Sequence, residues 1–403
     1  MRSPRSSWAP LAGFAVASSA NQMAWLVFAP VTTGAAQHFH VPTSSIGLLS
    51  EVFPLVYVVL GLPAGRAVDR SLRTWLAVGA VLNVVGALLR LGGLSDQGFG
   101  WALAGQVLVA GAQPLMLNSV TALARHYLKP KDRPTGIAIG SGGTFTGFVL
   151  AFAAAAVLGA GRAGLLLVVG AVYAVVGSAA LLLALWRSPA PFAPAQGSAP
   201  APQRGDVRRL LADPVMRGLV AFVFVGFGVF VSLTTWAQPL LQPAGVTAAM
   251  TDTLLGFMVL AGAISSAAVP PWVARRGWQL PTLVVGGVAT IGACGLLALA
   301  PGVVDAGVSL FAVGVLLLPG LPVMLEVAER RCGHQAAAGA GLLWLAGNTG
   351  GIVVAVVAGL LEGSPDWAFT ALALTVIAAV PAATRLRGRL SSSPPEQPAD
   401  KAG

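Results

Sequence analysis

Four short stretches place neutral polar and aromatic side chains inside otherwise apolar runs: "NQMAW" (21–25), "GQVLVAGAQPLMLN" (105–118), "TTWAQP" (234–239) and "LLWLAGN" (342–348). Residues four apart share a helix face, so Asn21 and Trp25 point the same way, as do Trp344 and Asn348. Gln106 and Gln113, seven apart, also align. A tryptophan face attracts a desolvated cation through its ring quadrupole, and aromatic cages suit quaternary ammonium groups. Such a group has no N–H to satisfy and needs no carboxylate. Tryptophan and glutamine with almost no fixed charge could therefore hold a choline-like cation. The competing reading is that polar groups buried in a bundle bond one another, and it stays open for Asn21, Asn118, Trp236, Trp344 and Asn348. Trp25 favours a ligand, because belt tryptophans sit at span ends and Trp25 lies near the centre of its run.

The elements that position these residues follow from composition. The 403 residues are 56% hydrophobic and only 9% charged, against about 25% charged in soluble domains. Apolar stretches of about 20 residues, each able to cross a ~30 Å hydrocarbon core, recur along the whole chain. With no water there to satisfy the backbone, they must be helices. Twelve are expected: 10–36, 43–67, 74–93, 100–126, 134–159, 163–186, 216–241, 247–273, 279–300, 304–327, 336–361 and 366–385. The first is too long and too polar at its centre for a cleaved signal peptide and reads as a retained helix.

The net charge of +10 does not mark a nucleic-acid binder, because of where the charge lies. With the N-terminus inside, the inner segments and adjoining helix ends hold 22 of the 24 Lys and Arg, leaving only Arg90 and Arg162 outside. This positive-inside bias predicts a multi-pass cell-membrane protein with both termini cytoplasmic and basic loops on an anionic leaflet. The two cysteines, Cys294 and Cys332, offer no disulfide framework.

The Pro-, Ala- and Ser-rich stretch 187–209 reads as a flexible linker. It divides the chain into an N-terminal six-helix bundle (1–186), a linker (187–213), a C-terminal six-helix bundle (214–386) and a disordered tail (387–403). Two such halves point to a solute held between them at mid-depth. The loop "GRAVDRSLR" (65–73) resembles the signature loop of the major facilitator superfamily, G-x-x-x-D-R-x-G-R, at Gly65, Asp69, Arg70 and Arg73, with Leu72 for the second glycine. That resemblance implies an inner gate, in which Asp and Arg bond neighbouring helix ends in one conformation and release them in the other.

Few ionisable groups lie in the spans. Glu51, about two turns into the second, is the proton-coupling candidate; Asp252 and Glu326 read as interfacial. The absence of a deep Lys or Arg disfavours an anion carrier. Glycines of the fifth span, Gly136 with Gly140 and Gly143 with Gly147, have small-xxx-small spacing for close helix approach. Ser141 has no buried base to make it a nucleophile, and "HFH" (38–40) reads as a loop histidine pair rather than an iron site. No cofactor, metal or catalytic residue is implied.

The first half resembles the feline leukaemia virus subgroup C receptor family, a branch of the same superfamily associated with choline and ethanolamine transport and with haem export. "NQMAW" is similar to the family's N-A-x-Q-W at Asn21 and Trp25. Residues 48–69 match at Leu49, Ser50, Tyr57, Pro63, Ala64 and Asp69. Residues 105–124 match at Gly105, Gln106, Ala112, Gln113, Pro114 and Asn118, with Met116 in the position of Ile. In the second half Glu326, Gly341, Leu342 and Leu343 match, while Trp344 stands for an Asn and Asn348 for a Gln. The resemblance implies that Trp25 stacks on a cation and Gln113 bonds its hydroxyl. The expected protein is a monomeric secondary transporter in the bilayer, moving a small organic cation or amine down its gradient by alternating access. The alternatives are a proton-coupled carrier using Glu51, a haem or porphyrin exporter, and a non-transporting receptor.

Overall fold

The computed structural model describes residues 5–28, 31–159, 162–192 and 206–384. Sixteen α-helices lie among them. In the first half these are α1 (Ala9–Leu26), α2 (Thr32–Phe39), α3 (Thr43–Arg70), α4 (Leu72–Leu89), α5 (Phe99–Leu117), α6 (Ser119–Tyr127), α7 (Arg133–Leu158) and α8 (Ala163–Arg187). The second half has α9 (Asp206–Ala212), α10 (Pro214–Leu241), α11 (Ala248–Arg276), α12 (Gln279–Leu299), α13 (Val303–Leu317), α14 (Gly320–Cys332), α15 (Ala336–Leu360) and α16 (Pro365–Thr384). Ten helices among the described residues are long and apolar enough to cross a membrane, α13 and α14 counting as one. Helix α1 has the length, but Asn21 and Gln22 lower its hydropathy; the apolar part of α16, Pro365–Ala379, is short. Both pack within the bundles as the remaining two spans.

Three expected spans are not single helices. The first stops at Leu26 and resumes as α2 at Thr32. The fourth is interrupted at Asn118, one turn after Pro114. The tenth is interrupted at Leu318–Pro319, where Leu321 N–H reaches back only to Leu318 O at 3.3 Å. The expected linker also differs: its last part forms α9, whose Leu210 is buried, while 193–205 and the tail from 385 lie outside the described residues.

Helices α1–α8 pack mainly on one another, as do α10–α16. Glycines set the close approaches. A Cβ at Gly143 would lie 2.7 Å from Ala15 O, and one at Gly147 would collide with Ser19 O, so α7 presses on the backbone of α1. The two halves meet through α7 on α11 and α3 on α15. Arg90, expected at the outer end of the third span, is 3% exposed, its guanidinium 5.4 Å from the Phe28 ring.

Gly147→Ala forces apart two backbones that cannot relax locally and is expected to cost about 1–3 kcal/mol. Gly111→Ala, where a Cβ meets nothing within 4 Å, is expected to leave stability unchanged or raised. Thermal unfolding of both variants in detergent checks this.

Candidate functional site

The ring of Trp25 on α1 lies parallel to that of Phe53 on α3, with centroids 5.5 Å apart and an interplanar angle of 6°. Its other close ring is Phe148 on α7, edge-on at 5.5 Å. From there the contacts continue. Phe148 meets Phe145 at 6.1 Å, Phe145 meets Phe230 on α10 at 6.4 Å, Phe230 meets Phe227 at 5.8 Å, and Phe227 meets Trp344 on α15 at 5.8 Å. All these spacings fall within the favoured range for aromatic pairs. A row of rings thus runs from Trp25 to Trp344 and crosses from one bundle to the other at Phe145 and Phe230. Phe145 and Phe148 share a helix face with Ser141, at four- and seven-residue spacing.

Beside the row lies a chain of amides. Gln113 Nε2 donates to Gln22 Oε1 at 3.4 Å, and Gln22 Nε2 donates to Asn21 Oδ1 at 3.2 Å. Asn21 Nδ2 donates to Asn83 Oδ1 at 3.1 Å and to Val109 O at 2.9 Å, and Asn83 Nδ2 donates to Ser178 Oγ at 3.4 Å. Asn21 therefore has its amide engaged by α4 and α5 and ties the bundle together. Gln22, without a role in the sequence reading, is the residue that orients Gln113.

Asn118 is engaged in the same way. Its Oδ1 accepts from the Tyr57 hydroxyl, and its Nδ2 donates to Gly61 O at 2.7 Å, clasping the interruption of the fourth span to α3.

Gln113 Oε1, Ser141 Oγ, Trp344 Nε1 and Asn348 Oδ1 are among the buried polar atoms without a hydrogen-bond partner, which also include Gln106 Oε1, Trp236 Nε1, Ser266 Oγ and Ser309 Oγ. Asn348 uses its Nδ2 on Trp344 O at 2.8 Å, which leaves an acceptor and an indole donor bare on consecutive turns of α15. A buried polar group left unpaired costs about 1–3 kcal/mol, so four of them around one row of rings suit a polar or charged solute. Trp236, whose Nε1 is likewise bare, lies away from the row of rings. Its ring covers Gly359, fifteen residues beyond Trp344 on α15, or ~22 Å at about 1.5 Å per residue. Glu51 is exposed on α3, in the half of the span remote from the 65–73 loop. His38 is occupied with Gly93 O at 2.9 Å.

At the end carrying the basic loops, the two halves are joined. Asp69 Oδ1 and Oδ2 accept from the backbone N–H groups of Ala337 and Ala338 at 2.9 and 2.8 Å. A carboxylate thus sits on the positive end of α15, a favourable placement. Gly65 permits it, since a Cβ there would lie 2.9 Å from Ala337 O. Arg73 donates to Leu185 O and Ser188 O and ties α4 to the end of α8, while Arg70 is exposed. Two further contacts cross the same seam: Arg133 to Glu329 at 3.1 Å, and Thr121 Oγ1 to Ala336 O at 2.9 Å.

A helical chain of this arrangement was compared with known proteins. The family model described as the Major Facilitator Superfamily matches residues 14–355. The chain belongs to that superfamily. Among relatives, solute carrier family 49 member A3 of Danio rerio is 29% identical over 65% of the chain and 56% of its own length. The choline/ethanolamine transporter FLVCR1 of Mus musculus is 30% identical over 34% of the chain and 25% of its own length. The chain thus spans about half the length of the first relative and a quarter of the second. Among solved structures, the superfamily transporter FucP in the outward conformation aligns with a TM-score of 0.75 at 16% identity. That alignment covers 93% of this chain and 98% of that one, a likeness of fold alone.

Sequence reasoning missed the four phenylalanines that link Trp25 to Trp344, as well as Asn83 and the Arg133–Glu329 pair. The spacing of Phe145 and Phe148 was visible, but apolar rings inside an apolar span carry no contrast.

Asp69→Asn weakens two charge-assisted bonds worth about 1.5–3 kcal/mol each. Hydrogen exchange at the first turn of α15 is expected to quicken about tenfold or more, while the turn after Gly350 keeps its rate.

Proposed function

We propose that this superfamily member is a secondary transporter that carries a small organic cation or amine between its two halves by alternating access. The supporting observation is the row of rings from Trp25 to Trp344, flanked by bare polar atoms and free of fixed charge. The cation stacks on Trp25 and draws about 2 kcal/mol from a desolvated ring contact. Gln113, held by Gln22, offers its bare Oε1 to a hydroxyl or N–H on the solute. The relatives that bear the name choline/ethanolamine transporter, similar to this chain over about a third of its length, support a choline-like solute.

Transport of a fixed cation needs no coupling ion. The membrane potential supplies about 2.3 kcal/mol per charge per 100 mV, and the movement is facilitated. Breaking and remaking the Asp69 clasp on α15 opens and closes the end with the basic loops. By the positive-inside distribution this end faces the cytoplasm, with both termini on that side of the cell membrane. The protein works as a monomer, one solute path lying between its own two bundles. A second reading rests on Glu51, a carboxyl exposed on a span, which in a proton-coupled carrier of another metabolite would bind the proton.

Reconstituted protein under an imposed potential, without a pH gradient, is expected to take up labelled choline in preference to a panel of neutral metabolites. Trp25→Ala is expected to weaken choline binding about thirtyfold. Gln113→Leu is expected to cost three- to tenfold and to erase the preference for choline over ethyltrimethylammonium, which lacks the hydroxyl. Uptake that follows the pH gradient and collapses in Glu51→Gln would overturn the facilitated mechanism in favour of proton coupling.

A further inference from the structure

A cleft of about 30 Å³ opens beside the row of rings, lined by Phe145, Phe227, Phe230, Leu318, Leu321 and Met324 with their apolar neighbours. Its ten lining residues include no polar side chain, and apart from the half-buried Gly226 all of them are buried. The cleft is therefore interior and does not face lipid. Three of its rings, Phe145, Phe230 and Phe227, belong to the row itself, and Phe227 stands edge-on to Trp344, whose indole N–H is bare.

The cleft owes its existence to two local features. The tenth span breaks at Leu318–Pro319, with Leu317 and Leu318 at the end of α13 and Leu321 and Met324 in α14. On α10, Gly226 supplies no side chain where a Cβ would stand 3.4 Å from Leu317 Cδ1. Interiors pack to crystal density with few voids, and empty volume walled by flexible Met and Leu is volume a ligand can use.

We infer that this cleft takes the apolar part of the transported solute, so that the substrate is an amphiphile: a cationic or amine head with a short alkyl or aryl group. This rests on the reading of the site as one for organic cations. A head against Trp25 has the cleft two rings away along the same row, at Phe145. A purely polar solute would leave the cleft unfilled. An alkyl or aryl group in it is desolvated against rings and aliphatic side chains, and each added methylene strengthens binding until the volume is full.

The test is a binding series, read by thermal shift and by competition with choline uptake. Its probes are alkyltrimethylammonium ions from methyl to hexyl and, in parallel, the neutral n-alkanols from ethanol to hexanol. Wild-type protein is expected to bind the ammonium ions about fourfold more tightly per methylene. Gly226→Leu, which fills the cleft at a position without backbone conflict, is expected to abolish that gradient while retaining tetramethylammonium. A flat series, or a gradient unchanged in Gly226→Leu, overturns the inference while the cation site stands. If no ammonium ion binds but the alkanols show a gradient that Gly226→Leu removes, the cleft stands and the cation reading falls. Failure of both series overturns both.

Discussion

A hydrocarbon surround offers no hydrogen bonds, and the rest of the molecule follows from that constraint. It makes every long segment a helix, and it demands a partner for each amide, hydroxyl and indole carried into the interior. Most of those demands are met within the protein. Gln22, Asn21, Asn83 and Ser178 form one relay through the first bundle, and Tyr57, Asn118 and Gly61 form a clasp. Gln113, Ser141, Trp344 and Asn348 are among the residues left with bare atoms, and the proposed site rests on their placement beside the row of rings.

The same constraint gives meaning to the interruptions. The fourth and tenth spans occupy corresponding places in the two halves, and each breaks beside a proline, at Asn118 and at Leu318–Pro319. Interrupted spans in matching positions are a physical pointer to a midplane site. Here Gln113 lies just before one break and the apolar cleft surrounds the other. The second half of each broken span, α6 and α14, then reaches the end where Asp69, Arg133 and Glu329 bind the bundles together. The interruptions therefore connect the region where a solute would sit with the contacts that must open to release it.

Much of this was legible in the residues. Length and hydropathy led to an all-helical membrane protein. The loop at 65–73 announced the Asp69 contact, and the glycines of the fifth span announced its close approach to α1. Polar residues in apolar runs drew attention to turns of α1, α5 and α15. What spacing along one helix cannot give is the partner on another. Asn21 and Trp25 share a face by periodicity, yet Asn21 is spent on α4 and α5 while Trp25 joins the rings. Trp236 and Trp344 look alike in sequence, yet α15 holds them some four turns apart. The phenylalanine bridge was silent because a ring among apolar neighbours is indistinguishable from lipid-facing bulk until the fold brings rings together. The cleft was silent because volume is a property of what is missing.

The central claim is that a cationic solute lies across the aromatic row between the two halves, head toward Trp25 and apolar part toward the tenth span. Photolabelling addresses it directly, with a trimethylammonium ion carrying a short aryl azide, followed by mass spectrometry of the adducts with and without excess choline. The account predicts choline-protected adducts on α7, α10 and the α13–α14 junction, at or beside Phe145, Phe230 and Leu318. Adducts confined to the lipid-facing sides of α3, α4 or α12, or labelling that choline does not reduce, would contradict it.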